Sequence, residues 1–242
     1  MLLRRITQHV KAQNWFAVGI DFAIVVIGVY IGIQVSNWND EIRVRSLEAS
    51  YLSRVADELT SNIEVFEAEA TTARESSKFL SNFITLIENQ PTSDDELVNH
   101  ARNYLSGGVF FAKFRPSHAT FDELKATGNL DIIKDSELRE ALIELHTYYE
   151  DGKEVVNNNV NWLSRMEGTI YLDFDALRFD SRTSALFSEQ SAAEAAKLIR
   201  DNQDLLIRHA ALSYWVKDRS IEILDGAKDR SVAVLQDIQN IR

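Results

Sequence analysis

The apolar positions of this chain keep two rhythms, one solid block and then long stretches in which they return every third or fourth residue. From Trp15 to Val35 the block reads WFAVGIDFAIVVIGVYIGIQV, interrupted only by Asp21 and Gln34. About 20 mostly apolar residues suffice to cross the hydrocarbon core of a bilayer. Trp15 and Trp38 bracket the block, and a helical rise of about 1.5 Å per residue puts them about 34 Å apart, near the two headgroup levels. The pattern predicts a transmembrane helix over 15–38. A buried core helix fits less well, and a cleaved signal peptide would need a small-x-small site, which QVSNWNDE does not offer. The expectation is an uncleaved signal anchor that crosses once.

Beyond the block, Leu52, Val55, Leu59, Ile63, Phe66, Ala70, Ala73, Ser77, Leu80, Ile84 and Ile87 follow one another at steps of three and four. That spacing marks one face of a helix. No glycine falls between Gly32 and Gly107 and no proline before Pro91, so one helix is expected from the span to about Glu88. A second seam, Leu138, Leu142, Leu145, Tyr149, Gly152, Val156, Asn159, Leu163, Met166 and Ile170, predicts a helix from Ser136 to about Gly168. Asn159 on that seam either fixes register by hydrogen bonding or faces solvent. A third helical region, Gln203 to Ile241, carries Leu206, Leu212, Val216, Ile223, Ala227, Val234, Ile238 and Ile241 on one side.

Between these lie shorter elements. Gln90-Pro91-Thr92 is a break, and Ser93 with Glu96 reads as a capping box for a short helix ending at Gly107-Gly108. After the aromatic loop VFFAKFRPSHA, Thr120 with Glu123 reads as a second capping box, for a helix stopped by Gly128. Ile170 to Phe174 alternates like a short strand, and Ser191 with Glu194 is a third capping box. The fold expected is all-α: an N-terminal transmembrane helix continuing into a long amphipathic helix, with an antiparallel helical bundle outside the membrane. The expected divisions are a cytoplasmic amphipathic flank at 1–14, the span at 15–38 and a periplasmic helical domain at 39–242.

Charge supports that orientation. The chain holds 26 basic and 37 acidic residues, a net of −11, which leaves no extended positive face for nucleic acid. Arg4, Arg5 and Lys11 precede the span, whereas Asn39, Asp40 and Glu41 follow it. By the positive-inside rule the N-terminus is cytoplasmic and the acidic remainder lies on the other side. Leu2, Leu3, Ile6 and Val10 share a stripe on the flank, either a lipid-reading interfacial helix or an ordinary topogenic segment.

Four residues of the span bear on partners besides the lipid bilayer. Asp21, about 9 Å inside the inner edge, either snorkels to water or meets a polar group of another membrane helix. Gly28, Gly32 and Ser36 form a small-xxx-small ridge that permits close helix approach, hence self-association.

Chemistry is sparse. With no cysteine there is no disulfide, thiol nucleophile or thiolate metal site. The histidines His9, His100, His118, His146 and His209 make no HExxH pattern, and no phosphate loop or nucleophile elbow is present. No catalytic residue, cofactor or metal is therefore expected. His146 and Glu150, four apart, would give a metal only two ligands and read better as a surface pair; Asp173 and Asp175 read as a solvated loop. The one basic and aromatic cluster comprises Phe110, Phe111, Phe114, Arg115 and His118, with Lys113 and Phe121 beside it. It is either a partner or ligand surface or the apolar closure of the bundle's end.

The segment RRITQHVKAQNWFAVGIDFAIVVIGVYIGIQVSNWND resembles the start of a family of uncharacterised bacterial membrane proteins, a domain of unknown function. Ala119 to Tyr149, ATFDELKATGNLDIIKDSELREALIELHTYY, is similar to that family's second shared block, and the two cover roughly a quarter to a third of the chain. The resemblance implies a single-pass inner-membrane protein with a helical body and brings no activity, cofactor or catalytic residue.

Two functions follow as expectations. The first is a non-enzymatic scaffold or accessory subunit that binds other envelope proteins through its helices. The second is a periplasmic sensing module that binds a small anionic ligand and signals through a partner membrane protein. A hydrolase has no residue constellation behind it.

Overall fold

The computed structural model describes residues 15–89, 93–108, 111–173 and 191–241; of 15–19, 21 and 166–173 it describes the backbone alone. Among the described residues every regular element is helical. They are α1 (Trp15–Glu88), α2 (Asp94–Asn103) with a π turn at Tyr104–Gly108, α3 (Ala119–Ala126), a 3-10 turn at Leu130–Ile132, α4 (Ser136–Asp173), α5 (Ala192–Asp201) and α6 (Gln203–Ile241). The chain divides into two compact units, Met1–Tyr51 and Leu52–Arg242.

In the first unit the described side chains of α1 are exposed from Phe22 to Val35, and Trp38 with them. A helix here is long and apolar enough to cross a membrane. Gly28 and Gly32 face open space, with nothing within 4 Å of a Cβ built on either, and Ser36 is exposed. The side chain of Asp21 lies outside the described residues, as does the flank at 1–14.

The second unit is built on the predicted seams. On α1, Leu52, Val55, Leu59, Phe66, Ala70, Ala73, Leu80 and Ile87 are buried, while Ile63 and Ile84 are half-buried beside the fully buried Asn62 and Phe83. On α4 every seam position from Leu138 to Val156 is buried, as is Leu163, and Asn159 is half-buried. Partners along α4 and α6 run in opposite order: Tyr149 meets Ser231, Gly152 meets Ile223, and Trp162 meets Trp215. The pairs Glu67–Lys228 and Arg74–Asp225 set α1 against α6 in the same opposed sense. Asn62 and Phe66 reach Tyr149, so α1 and α4 run parallel, with α6 antiparallel to both. Gly152 lets α4 and α6 close: a Cβ there would lie 2.9 Å from Ile223 and 3.0 Å from Phe114.

At the other end of this unit, Leu80, Phe83 and Ile87 of α1 pack with Leu97 and Ala101 of α2, Tyr104, Ile199 of α5 and Leu206 of α6. Both short helices are capped as expected. Ser93 Oγ accepts from the amide of Glu96, and Ser191 with Glu194 forms the reciprocal box, which holds the Glu194 carboxyl below its usual range.

Three expectations are corrected. Ile170 to Asp173 continues α4 rather than forming a strand, and Phe174 lies outside the described residues. The buried face of α6 is not the purely apolar stripe: Leu212 and Ile223 are half-buried and Ile241 is exposed, whereas His209, Ser213, Lys217, Ser220 and Ser231 are buried. Small polar residues let α6 approach its neighbours closely; Ser220 and Ser231 donate to carbonyls one turn back, while the Ser213 hydroxyl has no partner among the described residues. Thr120 and Glu123 form no capping box. Both are claimed by α1, as described next.

Candidate functional site

The segment from Phe111 to α3 lies along α1, and α1 reads it at helical spacing. The Glu69 carboxylate accepts the amide of Lys113 at 3.0 Å. Asn62 brackets Ser117, its Nδ2 donating to the carbonyl at 2.7 Å and its Oδ1 accepting the amide at 2.8 Å. Glu58 accepts from both the amide and the hydroxyl of Thr120, at 3.0 and 2.6 Å. Arg54 then pairs with Glu123 at 2.6 Å. Residues 54, 58 and 62 stand one turn apart on one helix face, so a regular helix supplies a ladder of polar groups to an irregular strip of backbone. That non-local claim on Thr120 outcompetes the local cap; His118 takes the N-cap position, with no side-chain cap bond. The helix ends as predicted, with Gly128 at φ +69, where a side chain would be strained.

Replacing Asn62 with leucine is expected to cost about 2 kcal/mol, since the two hydrogen bonds that the buried Asn62 amide makes to the backbone of Ser117 are lost. Urea unfolding of the variant beside the wild type measures this.

The basic and aromatic cluster divides. Phe114 is buried, stacked on Phe66 with ring centroids 5.2 Å apart and edge-on to Tyr149 at 6.2 Å. It belongs to the core and also borders the cleft described below. Phe111 is half-buried, with the Lys217 ammonium 5.5 Å from its ring centroid. Lys113 and Arg115 are exposed and, with Phe111, Val156 and Val160, line an open cleft. Phe110 lies outside the described residues.

His118 belongs to a different assembly. Its Nδ1 lies 2.9 Å from Asp122 Oδ2, and its Nε2 lies 3.2 Å from Glu150 Oε1. His146 joins from α4, its Nε2 3.8 Å from Asp122 Oδ1. The two imidazoles meet edge to face at 4.8 Å, and Phe121 lies against His146 at 4.7 Å. Burial, and next the neighbouring His118, push the His146 pKa down, with Lys125 adding to the fall while Asp122 and Glu150 oppose it. His146 is therefore neutral at neutral pH. Its Nδ1 is buried without a hydrogen-bond partner among the described residues.

Behind the histidines lies a narrow cleft with room for about one water molecule, walled by Val55, Leu59, Phe121, Leu142 and Leu145, with Glu58, Ser117 and Tyr149 also on its lining. Burial raises the Tyr149 pKa despite its hydrogen bonds with Ser231 and Asn62. Sequence spacing offers two pairs four residues apart, His146 with Glu150 and His118 with Asp122; only the first is singled out above, the second is overlooked, and nothing in the spacing shows that the two meet.

No family model, curated protein or solved structure matches the chain.

Proposed function

We propose that this protein is a membrane-anchored, non-enzymatic accessory subunit of a bacterial envelope, cytoplasmic at its N-terminus, whose periplasmic helical domain binds other envelope proteins. The observation that carries the reading is the run of exposed apolar side chains from Phe22 to Val35, on a helix whose later residues form the core of the helical domain. Water does not tolerate such a surface, and a bilayer covers it without a protein partner. The acidic balance beyond the span and the three basic residues before it support the orientation. Trp162 and Trp215, 48% and 51% exposed and edge to face at 6.5 Å, offer the rigid aromatic area that protein interfaces favour.

Because the chain has no cysteine, single cysteines test the topology without background. Ser50→Cys is expected to react with a membrane-impermeant maleimide in intact spheroplasts, and Gln8→Cys only after lysis; the reverse pattern overturns the orientation. A photo-crosslinker at Trp162 or Arg115 is then expected to capture one envelope protein in stoichiometric yield. Recovery of the chain alone contradicts the accessory-subunit reading and leaves a self-assembled anchor, for which Gly28, Gly32 and Ser36 are the contact ridge. The exposed Lys113 and Arg115 beside Phe111 support a second reading, a module binding a small anion. For it, native mass spectrometry is expected to retain an anion that Arg115→Glu loses.

A further inference from the structure

We propose that His118, Asp122 and His146 bind a divalent transition-metal ion of the zinc class, which joins α3 to α4. The inference goes beyond the accessory-subunit reading and does not depend on it. One ligand atom from each of the three residues lies within 4.8 Å of the other two. Donors around a tetrahedral zinc, bonded at about 2.0–2.1 Å, stand roughly 3.3 Å apart. The exposed Asp122 carboxylate is the member free to move toward that spacing. His118 and Asp122 are four residues apart at the start of α3 and therefore project to the same side. His146 comes from α4, and both imidazoles are aimed at opposite oxygens of one carboxylate: Nδ1 of His118 at Oδ2, Nε2 of His146 at Oδ1.

Two imidazoles with one carboxylate select a borderline ion over calcium or magnesium, which prefer all-oxygen sets. The far nitrogen of His118 is already held by Glu150, the carboxylate–histidine arrangement that fixes ring orientation and tautomer behind a metal. Packing against Phe121 and His118 fixes the His146 ring instead. Asp122 is exposed, so the ion has a path to solution and keeps a fourth position for water. An ordinary ion pair accounts for His118 with Asp122; it does not account for a second imidazole, from another helix, within 3.8 Å of the same carboxylate.

The test uses full-length protein in detergent micelles, stripped with a chelator and titrated with Co²⁺. One equivalent is expected to produce visible ligand-field absorption, which Zn²⁺ then displaces. Asp122→Asn, at an exposed position, is expected to weaken the affinity about tenfold or more and to abolish the rise in Tm that Zn²⁺ gives the wild type. His100→Ala is expected to change neither. Absence of a saturable one-equivalent spectrum in the wild type overturns the proposal without recourse to any variant. So does an affinity that stays the same in Asp122→Asn and in the double variant His118→Ala/His146→Ala, the latter shown to be folded by circular dichroism.

Discussion

Replacing Phe66 with alanine is expected to destabilise the helical domain by about 3–5 kcal/mol, the largest effect of any single truncation on α1. Phe66 is fully buried and stands where three elements meet. Its ring stacks on Phe114 of the loop and stands edge-on to Tyr149 of α4 at 5.7 Å. Removing it leaves a cavity between partners that are themselves held: Phe114 by Gly152 on α4, Tyr149 by Ser231 on α6. Neither can collapse into the gap, which places the cost at the upper part of the range for such changes. Val65→Ala, one position along and exposed, is expected to cost well under about 1 kcal/mol. Urea unfolding in a fixed detergent, followed by circular dichroism, compares the two; equal midpoints would contradict the packing described.

Acid is expected to unfold the domain partly through His209. This histidine is 3% exposed, bonded through Nδ1 to the Tyr104 hydroxyl, and its Nε2 has no partner among the described residues. Tyr104 in turn stacks on Phe83 at 4.6 Å. Burial drives the pKa from 6.5 to about 4. Below pH 6.5 the unfolded chain takes up a proton that the folded form refuses until about pH 4, so stability falls as pH drops through this window. Within it the group contributes a slope of about 1.4 kcal/mol per pH unit, flattening below pH 4 where both states are protonated. The double variant His209→Leu/Tyr104→Phe removes the titrating ring and its hydroxyl partner together. Its stability is expected to lack that part of the slope between pH 6.5 and 4, and an unchanged slope would assign the acid sensitivity to other groups.

Where a helix face is built from large apolar residues at regular steps, the sequence shows it directly. The α4 seam was legible position by position from Leu138 to Val156 because one rhythm covers the whole face. On α6 the same reading found Leu206, Val216, Ala227, Val234 and Ile238 but missed the rest, since five of the twelve buried residues are serine, histidine or lysine, types that hydropathy assigns to water. Burial there follows geometry: Ser213, Lys217, Ser220, Leu224, Ala227 and Ser231 recur at steps of three and four whatever their polarity. The box at Thr120 and Glu123 failed for a different reason. Its local pattern was correct, but Glu58 and Arg54, more than 60 residues earlier, offered both side chains better partners. The histidine site was half legible, because spacing of four displays His146 with Glu150 and His118 with Asp122, while only the folded chain brings the two pairs together.

The pairing of α1 with α6 also sets the timing of biosynthesis. Glu67 and Arg74 find their partners 161 and 151 residues later in the chain. A ribosome adding about 5–20 residues per second takes roughly 8–30 s to supply them. Through that interval α1 can meet α2, α3 and α4 but still lacks α6, which completes its cover. Such long-range closure is slow, and exposed faces of this kind invite aggregation. Completion of α6 thus decides when α1 is safe, and substitutions in α6 are expected to lower the yield of intact protein before they change anything the finished molecule does.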